Sequence, residues 1–469
     1  MNFHYMPAGI KLRAYAGLTV YTKYLPYSYS RGFQVKTQSR HHYNVVTPDR
    51  ELFICDSVYS QNGLHPVKYD ECTFLSHFSK PHSSDLGVDY MMVNYTDHMS
   101  PPYSTAKLIN ETTEHHKTGT FLVADSGGYQ IATGDKEFIN PLDEVNWLNN
   151  NVHMSMVLDI PNHNPEFLLR TAKVQKLNTD LWMKHKRPGL ELINIAHGRN
   201  EDRLRYLDIV HDSKIKRLAI GGMFYNSILQ SLYDIVTTIT NTNKEYTHHH
   251  ILGVTHRGAL ILLMYLVKVG LTGTITSDSS SALRLSCYRT LYLYDRMENS
   301  IYCRDLGAKG NTITGQPKLP CNCPVCSTIV YADVMRELRG DIPDALCCLH
   351  NVYTFKDWVS YMKYIVDSMD KKGIKQYIRE QFTNGYGVAG VREIEMGLDF
   401  IDDAMTMGPQ KAKKKYTAYF GTQTNLVPSK LVANSVLGLE EEDPEVTDWD
   451  ASVLDALLTT YETWHAKNT

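Results

Sequence analysis

Three cysteines within six residues, Cys321-Asn-Cys323-Pro-Val-Cys326, and an imidazole further along at His350 could close around one zinc ion. Zinc favours four soft or borderline ligands in a tetrahedron, and a Cys₃His set fills all four positions, so the metal is expected to be structural. Two aspartates in small-residue turns offer different chemistry. Asp125 opens Asp125-Ser126-Gly127-Gly128-Tyr129-Gln130, where the glycines let backbone come close to a flat ligand on which Tyr129 could stack. Asp278 lies in Ser277-Asp278-Ser279-Ser280-Ser281, whose hydroxyl and backbone donors would keep it ionised, as suits a nucleophile. Two carboxylates facing one anomeric carbon perform retaining glycosyl transfer: one attacks and the other moves a proton to and from the leaving group. A nucleobase is such a leaving group. Asp159, His197 and Gly221-Gly222-Met223 would supply polar contacts to its edge.

These residues need elements that bring them together. From Leu52 to Ser279 a short apolar run, a polar or glycine turn and a longer amphipathic segment recur. The runs are ELFICDS, VDYMMVNY, TFLVADSGG, MSMVLDIP, LINIAHG, RLAIGGMF, HILGVTH and GTITSDS, which predicts eight strands. From Asp125 onward the run ends at Asp159, His197, Gly222, Gly253 and Asp278 lie about 25 to 38 residues apart, the length of one βα unit. Segments such as PEFLLRTAKVQKLNTDLWMKHK and HRGALILLMYLVKVG carry apolar residues at helical spacing and would form an outer ring. The expected fold is therefore α/β, a (β/α)₈ TIM barrel with an inserted or appended structural zinc-binding subdomain and extra C-terminal helices. The polar ends of the runs would then meet at the face where such barrels keep their chemistry. Any strand must end in something polar, and DSGG by itself is a common turn; the succession of such endings is what favours a site.

The expected divisions are an N-terminal extension over 1–50, a catalytic barrel over 51–300, a zinc-binding subdomain over 301–355 and a helical region with an acidic tail over 356–469. The first 50 residues would cover the barrel's bottom or add a β-element. Gly408-Pro409 should break the helical region, and DASVLDALLTTYETWHA reads as a last amphipathic helix.

At 469 residues, with 43% hydrophobic and 21% charged, the chain can bury a large core. Its net charge of -3 argues against a wholesale basic coat, so a nucleic-acid partner must be held by a local patch. Nine cysteines, three of them clustered, suit a metal in a reducing compartment better than a disulfide framework. The N-terminal stretch lacks the pattern of a secretory signal, and no run approaches a membrane span. A cytoplasmic protein, in a bacterial cell or a phage-infected host, is expected.

Asp-Ser-Gly-Gly-Tyr-Gln, the Ala-Ile-Gly-Gly run, a late strand-end aspartate and Cys-x-Cys-x-x-Cys with a downstream His-Asn together resemble the tRNA-guanine transglycosylase superfamily, from about Val88 to His350. The resemblance implies a TIM barrel with a structural zinc that swaps guanine in a polynucleotide for a 7-deazaguanine through a covalent glycosyl-enzyme. It would make Asp278 the nucleophile and Asp125 the general acid/base. Asp159 would read the base with Ser126 beside it, Tyr129 would stack on it, and Gly221, Gly222 and Met223 would offer backbone contacts. Cys321, Cys323, Cys326 and His350 would hold the zinc.

The chain departs from the family pattern at Tyr129, where Phe is usual, at His197, commonly Gln, after Gly222, and at Ser279-Ser280-Ser281 in place of Pro-Thr-Arg. No recognisable RNA-binding domain follows the zinc knot. These departures look like the DNA-acting branch of phages and bacterial modification islands, which inserts a 7-deazaguanine such as preQ0. The expected partners are DNA, with tRNA as the alternative, and a free 7-deazaguanine base; a homodimer is compatible with both. A barrel that has lost activity and only binds nucleic acid is the rival from another class. For DNA, the guanosine must leave the stack, which needs phosphate contacts. Lys411, Lys413, Lys414 and Lys415 form one candidate patch, and Lys309, Lys318 and Arg304 another. His248-His249-His250, before a strand, reads as a surface or turn cluster, with adventitious metal binding as the alternative; Gly310 to Gln316 reads as a phosphate-loop imitation without its lysine; and Cys347 and Cys348 read as packing beneath the zinc knot, with competition as zinc ligands as the alternative.

Overall fold

The computed structural model describes residues 1–7, 18–28, 33–39, 41–56, 68–75, 90–96, 121–132, 138–161, 165–221, 227–254, 256–295, 300–306, 319, 321–338, 340–420 and 451–468. Its strands are, in chain order, β1 (Phe3–Pro7), β2 (Thr19–Tyr24), β3 (Gln34–Gln38), β4 (His42–Val46), β5 (Arg50–Cys55), β6 (Glu71–Phe74), β7 (Tyr90–Asn94), β8 (Phe121–Asp125), β9 (Met154–Met156), β10 (Glu191–Ala196), β11 (Arg217–Ile220), β12 (His248–Ile251), β13 (Thr274–Ser279), β14 (Thr290–Asp295) and β15 (Ser300–Asp305).

Eight of them form one parallel sheet in the order β1-β13-β12-β11-β10-β9-β8-β7. The two edges approach each other, with the His4 and Tyr90 rings 5.0 Å apart, so the sheet is a nearly closed barrel. Helices follow β9 to β12 in turn: Pro165–His185, Glu201–Val210, Ile228–Thr242 and Arg257–Lys268. Their apolar faces pack against the outside of the strands, as a parallel sheet covered on both faces requires. Inside the barrel, Met6, Met92, Val123, Met154, Met156, Ile193, Ile195 and Ala219 make a small apolar core.

The first barrel strand differs from expectation. The run ELFICDS was expected to open the barrel, but Arg50–Cys55 lies at the centre of a separate antiparallel sheet, β3-β4-β5-β2-β6. The reason is its connection: only Thr47, Pro48 and Asp49 separate β4 from β5, and so short a link joins antiparallel neighbours, whereas parallel strands need a long crossover. The barrel takes Phe3–Pro7 instead, from the stretch read as an N-terminal extension, which also supplies strands of the antiparallel sheet.

After β13 the chain forms a helix (Ser281–Cys287), the β14–β15 hairpin, the cysteine turn, and the long helix Asp341–Ser368. Phe355 of that helix stacks 4.8 Å from Tyr5 of β1, so the helix covers the barrel where β1 joins. Lys371–Met407 follows and stops at Gly408, whose φ of +87° leaves the helical region, before Pro409–Lys415. The final helix, Ala451–Asn468, packs on Pro165–His185, where Arg170 forks onto Glu462, and its Tyr461 hydroxyl donates to the Ile139 carbonyl at 3.1 Å. No helix among the described residues is long and apolar enough to cross a membrane.

Candidate active site and metal centre

Three of the expected site aspartates gather at the carboxyl ends of the strands. Asp125 ends β8, Asp278 lies near the end of β13, and Asp159 follows β9 by three residues. Asn94, opposite Asp125 at the end of β7, donates from Nδ2 to Asp125 Oδ2 at 3.1 Å and to Gln130 Oε1 at 3.0 Å. Its own Oδ1 accepts from the Thr96 backbone and hydroxyl, which fixes the amide's orientation. Burial pushes the Asp125 carboxyl up to about 7, with the charges of Asp159 and Asp278 adding to the rise and the Ser126 and Gly127 backbone N–H groups offsetting part of it. A carboxyl at that value can carry a proton or release it near neutrality, as a general acid/base must.

The glycines of the Asp125 turn have a structural use. Gly127 adopts a φ of +76°, and a Cβ on Gly128 would fall 2.6 Å from the Asp159 carbonyl oxygen, so β8 and the Asp159 loop can meet only if residue 128 lacks a side chain. Across that contact the Ser126 hydroxyl donates to Asp159 Oδ1 at 2.5 Å, and His197 Nε2 meets Asp159 Oδ2 at 2.5 Å. Asp159, Ser126 and His197 are all buried. His197 borders Gly221, whose carbonyl accepts a hydrogen bond from Arg203 at 2.7 Å; Arg203 is itself paired with Asp234, and both are wholly buried.

Asp278 is only 13% exposed; its Oδ1 accepts the Gly253 N–H at 2.6 Å, and His250 Nε2 lies 3.3 Å away. The triple histidine therefore belongs to the site's surroundings and not to a surface turn: His248, His249 and His250 form β12 and are buried. Tyr129 falls in the short helix Gly128–Ala132, with its side chain outside the described residues, as Gly222 and Met223 are entirely.

Sequence reasoning missed Asn94, His250 and Glu144. Asn94 was within a recognised run, VDYMMVNY, and its place beside Asp125 follows from strand register alone. Glu144, in the first turn of Pro141–Asn151, is completely buried, and both carboxylate oxygens lack a hydrogen-bond partner among the described residues. Burial, then the charges of Asp125 and Asp159, raise it well above the usual carboxyl range.

No family model and no curated protein matches the chain.

At the cysteine turn, the donor atoms of Cys321, Cys323, Cys326 and His350 lie within 4.8 Å of one another and could hold a metal ion. His350 Nδ1 is 3.4, 3.3 and 3.1 Å from the three sulfurs in order. Its Nε2 donates to the Tyr292 carbonyl at 2.6 Å, which places the proton on Nε2 and turns the Nδ1 lone pair toward the sulfurs, the tautomer a metal ligand needs. Hydrogen bonds with Cys323 and Cys326 hold the Cys321 thiol far below its usual range, while burial pushes Cys326 up. Asn351, the next residue, accepts from Tyr292 N and donates to Thr290 O, so the same helical turn clamps β14. Cys347 and Cys348 are buried in the core and stand outside the four-donor group, as packing residues do.

Of the candidate basic patches, Lys415 pairs with Asp403 at 2.7 Å and Lys413 lies 4.2 Å over the Tyr233 ring, while Lys411 and Lys414 are exposed. Lys309 and Lys318, the Arg304 side chain and the stretch Gly310 to Gln316 lie outside the described residues.

Proposed function

We propose that the protein exchanges guanine in DNA for a 7-deazaguanine base such as preQ0, through a covalent aspartyl-glycosyl intermediate. The observation that supports this reading is the division of labour between two strand-end carboxylates: Asp125 is raised to about 7 by burial and neighbouring charge, whereas Asp278 receives an N–H from Gly253 and faces an imidazole. In the first half-reaction an Asp278 oxygen bonds to C1′ of the guanosine as the C1′–N9 bond breaks. The bonding pair leaves with guanine, and the Asp125 carboxyl supplies a proton to a ring nitrogen. In the second, ionised Asp125 takes the proton from N9 of the incoming base, N9 bonds to C1′, and Asp278 is released. Asp159, held by Ser126 and His197, reads the base edge. Only a base that has left the duplex stack can reach this barrel mouth, at a cost of a few kcal/mol.

The Cys₃His group is read as a structural zinc site. Zinc there would supply folding energy and no reaction step, because the four protein donors complete its tetrahedron.

The preference for DNA over tRNA rests on the Tyr129, His197 and Ser279-Ser280-Ser281 departures. Incubating the purified protein with duplex DNA or tRNA plus preQ0, then digesting and weighing the nucleosides, tests it. A deazaguanine deoxynucleoside is the expected product. A ribonucleoside moves the protein to tRNA, and neither product returns the reading to a barrel that only binds.

A further inference from the structure

The barrel interior holds an apolar cluster along β7 to β11, and beside it a line of polar side chains runs from Glu191 and Arg217, the first residues of β10 and β11, along β12 and β13 to Asp278. Strand alternation points His248 and His250 to the same side, and register pairs them with Arg217 and Ala219 on one flank and with Thr274 and Thr276 on the other. Ala219 belongs to the inner core, so this side is the inside. Glu191, the first residue of β10, pairs with Arg217, the first of β11. Arg217 Nη1 then meets His248 Nδ1. His248 Nε2 is 2.8 Å from the Thr276 hydroxyl, and the same hydroxyl is 2.9 Å from His250 Nδ1. His250 Nε2, with no hydrogen-bond partner among the described residues, lies 3.3 Å from Asp278 Oδ1, without the alignment of a full hydrogen bond. His248, His250 and Thr276 are all buried.

We propose that this column is a directional relay that fixes His250 as the Nε2–H tautomer and makes it the positioning residue for the Asp278 carboxylate. Hydrogen-bond valence sets the direction from Arg217 as far as Thr276. A guanidinium only donates, so His248 Nδ1 must accept and the His248 proton sits on Nε2. That N–H donates to the Thr276 oxygen. The Thr276 oxygen has room to accept from a second imidazole, but the hydroxyl proton then needs another acceptor; in the relay that proton goes to His250 Nδ1, 2.9 Å away. His250 Nδ1 is thereby an acceptor, and its single proton is left on Nε2, the atom facing Asp278. Burial first, and the Arg217 charge second, hold His248 well below its usual range, consistent with the neutral ring the relay needs. The Gly253 N–H and His250 Nε2–H converge on the same Asp278 oxygen, which directs the other oxygen to the reacting carbon. Thr276 is the pivot: among the described residues its hydroxyl is the link between the tautomer of His250 and Arg217.

The catalytic consequence rests on the base-exchange reading of Asp278; the relay itself does not. Full-length protein labelled with ¹⁵N in its histidines reads ring tautomers directly by long-range ¹H–¹⁵N correlation, with His250 identified by its loss in His250→Gln. The expected result is a neutral Nε2–H tautomer for His250 that becomes mixed in Thr276→Val, a substitution of nearly the same shape. An Nδ1–H tautomer, a doubly protonated His250 at pH 7.5, or a His250 signal indifferent to Thr276→Val overturns the relay. In the exchange assay, Thr276→Val and His250→Phe should each lower kcat by about 10- to 100-fold at an unchanged KM for the free base. His250→Gln, whose amide N–H reaches the same oxygen, should recover part of that loss; loss of KM alone, or no recovery, removes the positioning role. A wild-type protein that shows the tautomer but exchanges no base keeps the relay and sinks the base-exchange reading.

Discussion

His197 Nε2 sits 2.5 Å from Asp159 Oδ2, while its Nδ1 has no hydrogen-bond partner among the described residues and borders Gly221. An imidazole held at one nitrogen presents the other in a fixed direction, so on the base-exchange reading the pair would act as one polar reader of a base edge. His197→Gln replaces a ring by an amide that both donates and accepts. Relative kcat/KM among guanine, preQ0 and related bases should shift by about tenfold, the effect of one altered hydrogen bond. Competition between labelled bases measures it, and an unchanged ranking would place His197 outside base recognition.

Asp278→Asn removes the attacking charge but keeps the shape that receives the Gly253 N–H. Exchange should fall by more than about 1,000-fold with the melting temperature and metal content unaltered. Mass spectrometry of the protein trapped on its polynucleotide should show the covalent adduct in wild type and none in the variant. Normal exchange by Asp278→Asn removes it as nucleophile.

Asp125 gives a pH signature in rate and stability alike. Its carboxyl is raised from 3.8 to about 7, so kcat/KM for the polynucleotide, which needs the protonated form, should decline as pH rises through about 7. In the unfolded chain the same group ionises near 3.8, so between those values the folded state keeps a proton that the unfolded state has lost. This group's contribution to stability is therefore full below about 4 and is lost as pH rises through about 7, on the order of 4 kcal/mol in all. Denaturant melts from pH 4 to 8 should show a shallower decline in Asp125→Asn than in wild type; parallel curves would mean that Asp125 titrates normally.

Metal removal should act through the Asp341–Ser368 helix, because His350 and Asn351 of that helix hold β14 while Phe355 packs on Tyr5 of the barrel. Chelation or Cys323→Ser should release about one zinc per chain and lower Tm by roughly 10 °C or more, given the large share of folding energy such sites carry. Elemental analysis with a thermal melt checks this. A chelated protein with an unchanged melt would make the site incidental to the fold.

Arg203 and Asp234 form a wholly buried pair that also anchors the Gly221 carbonyl. Arg203→Met leaves the Asp234 carboxylate buried without its guanidinium and should cost about 3 to 5 kcal/mol, whereas replacing both partners by apolar residues should cost much less. Denaturant melts of the two single variants and the double variant separate these outcomes.

The sequence alone determined the features that depend on local spacing. Cys321, Cys323 and Cys326 lie within one turn, so their convergence needs only a short chain segment, and His350 joins them from the helix Asp341–Ser368. The βα rhythm after Leu122 likewise placed Asp125, Asp159, His197 and Asp278 at strand ends, because side-chain direction along a strand is fixed by its period. Tertiary pairing decided the rest. Phe3–Pro7 and Arg50–Cys55 are both short apolar runs, and only the partner strands make one a barrel stave and the other the middle of an antiparallel sheet. Asn94 beside Asp125, the inward face of His248 and His250, and the approach of Gly128 to Asp159 all arise from register between strands far apart in sequence. Register is set by closure of the whole sheet, a property that no window of neighbouring residues contains.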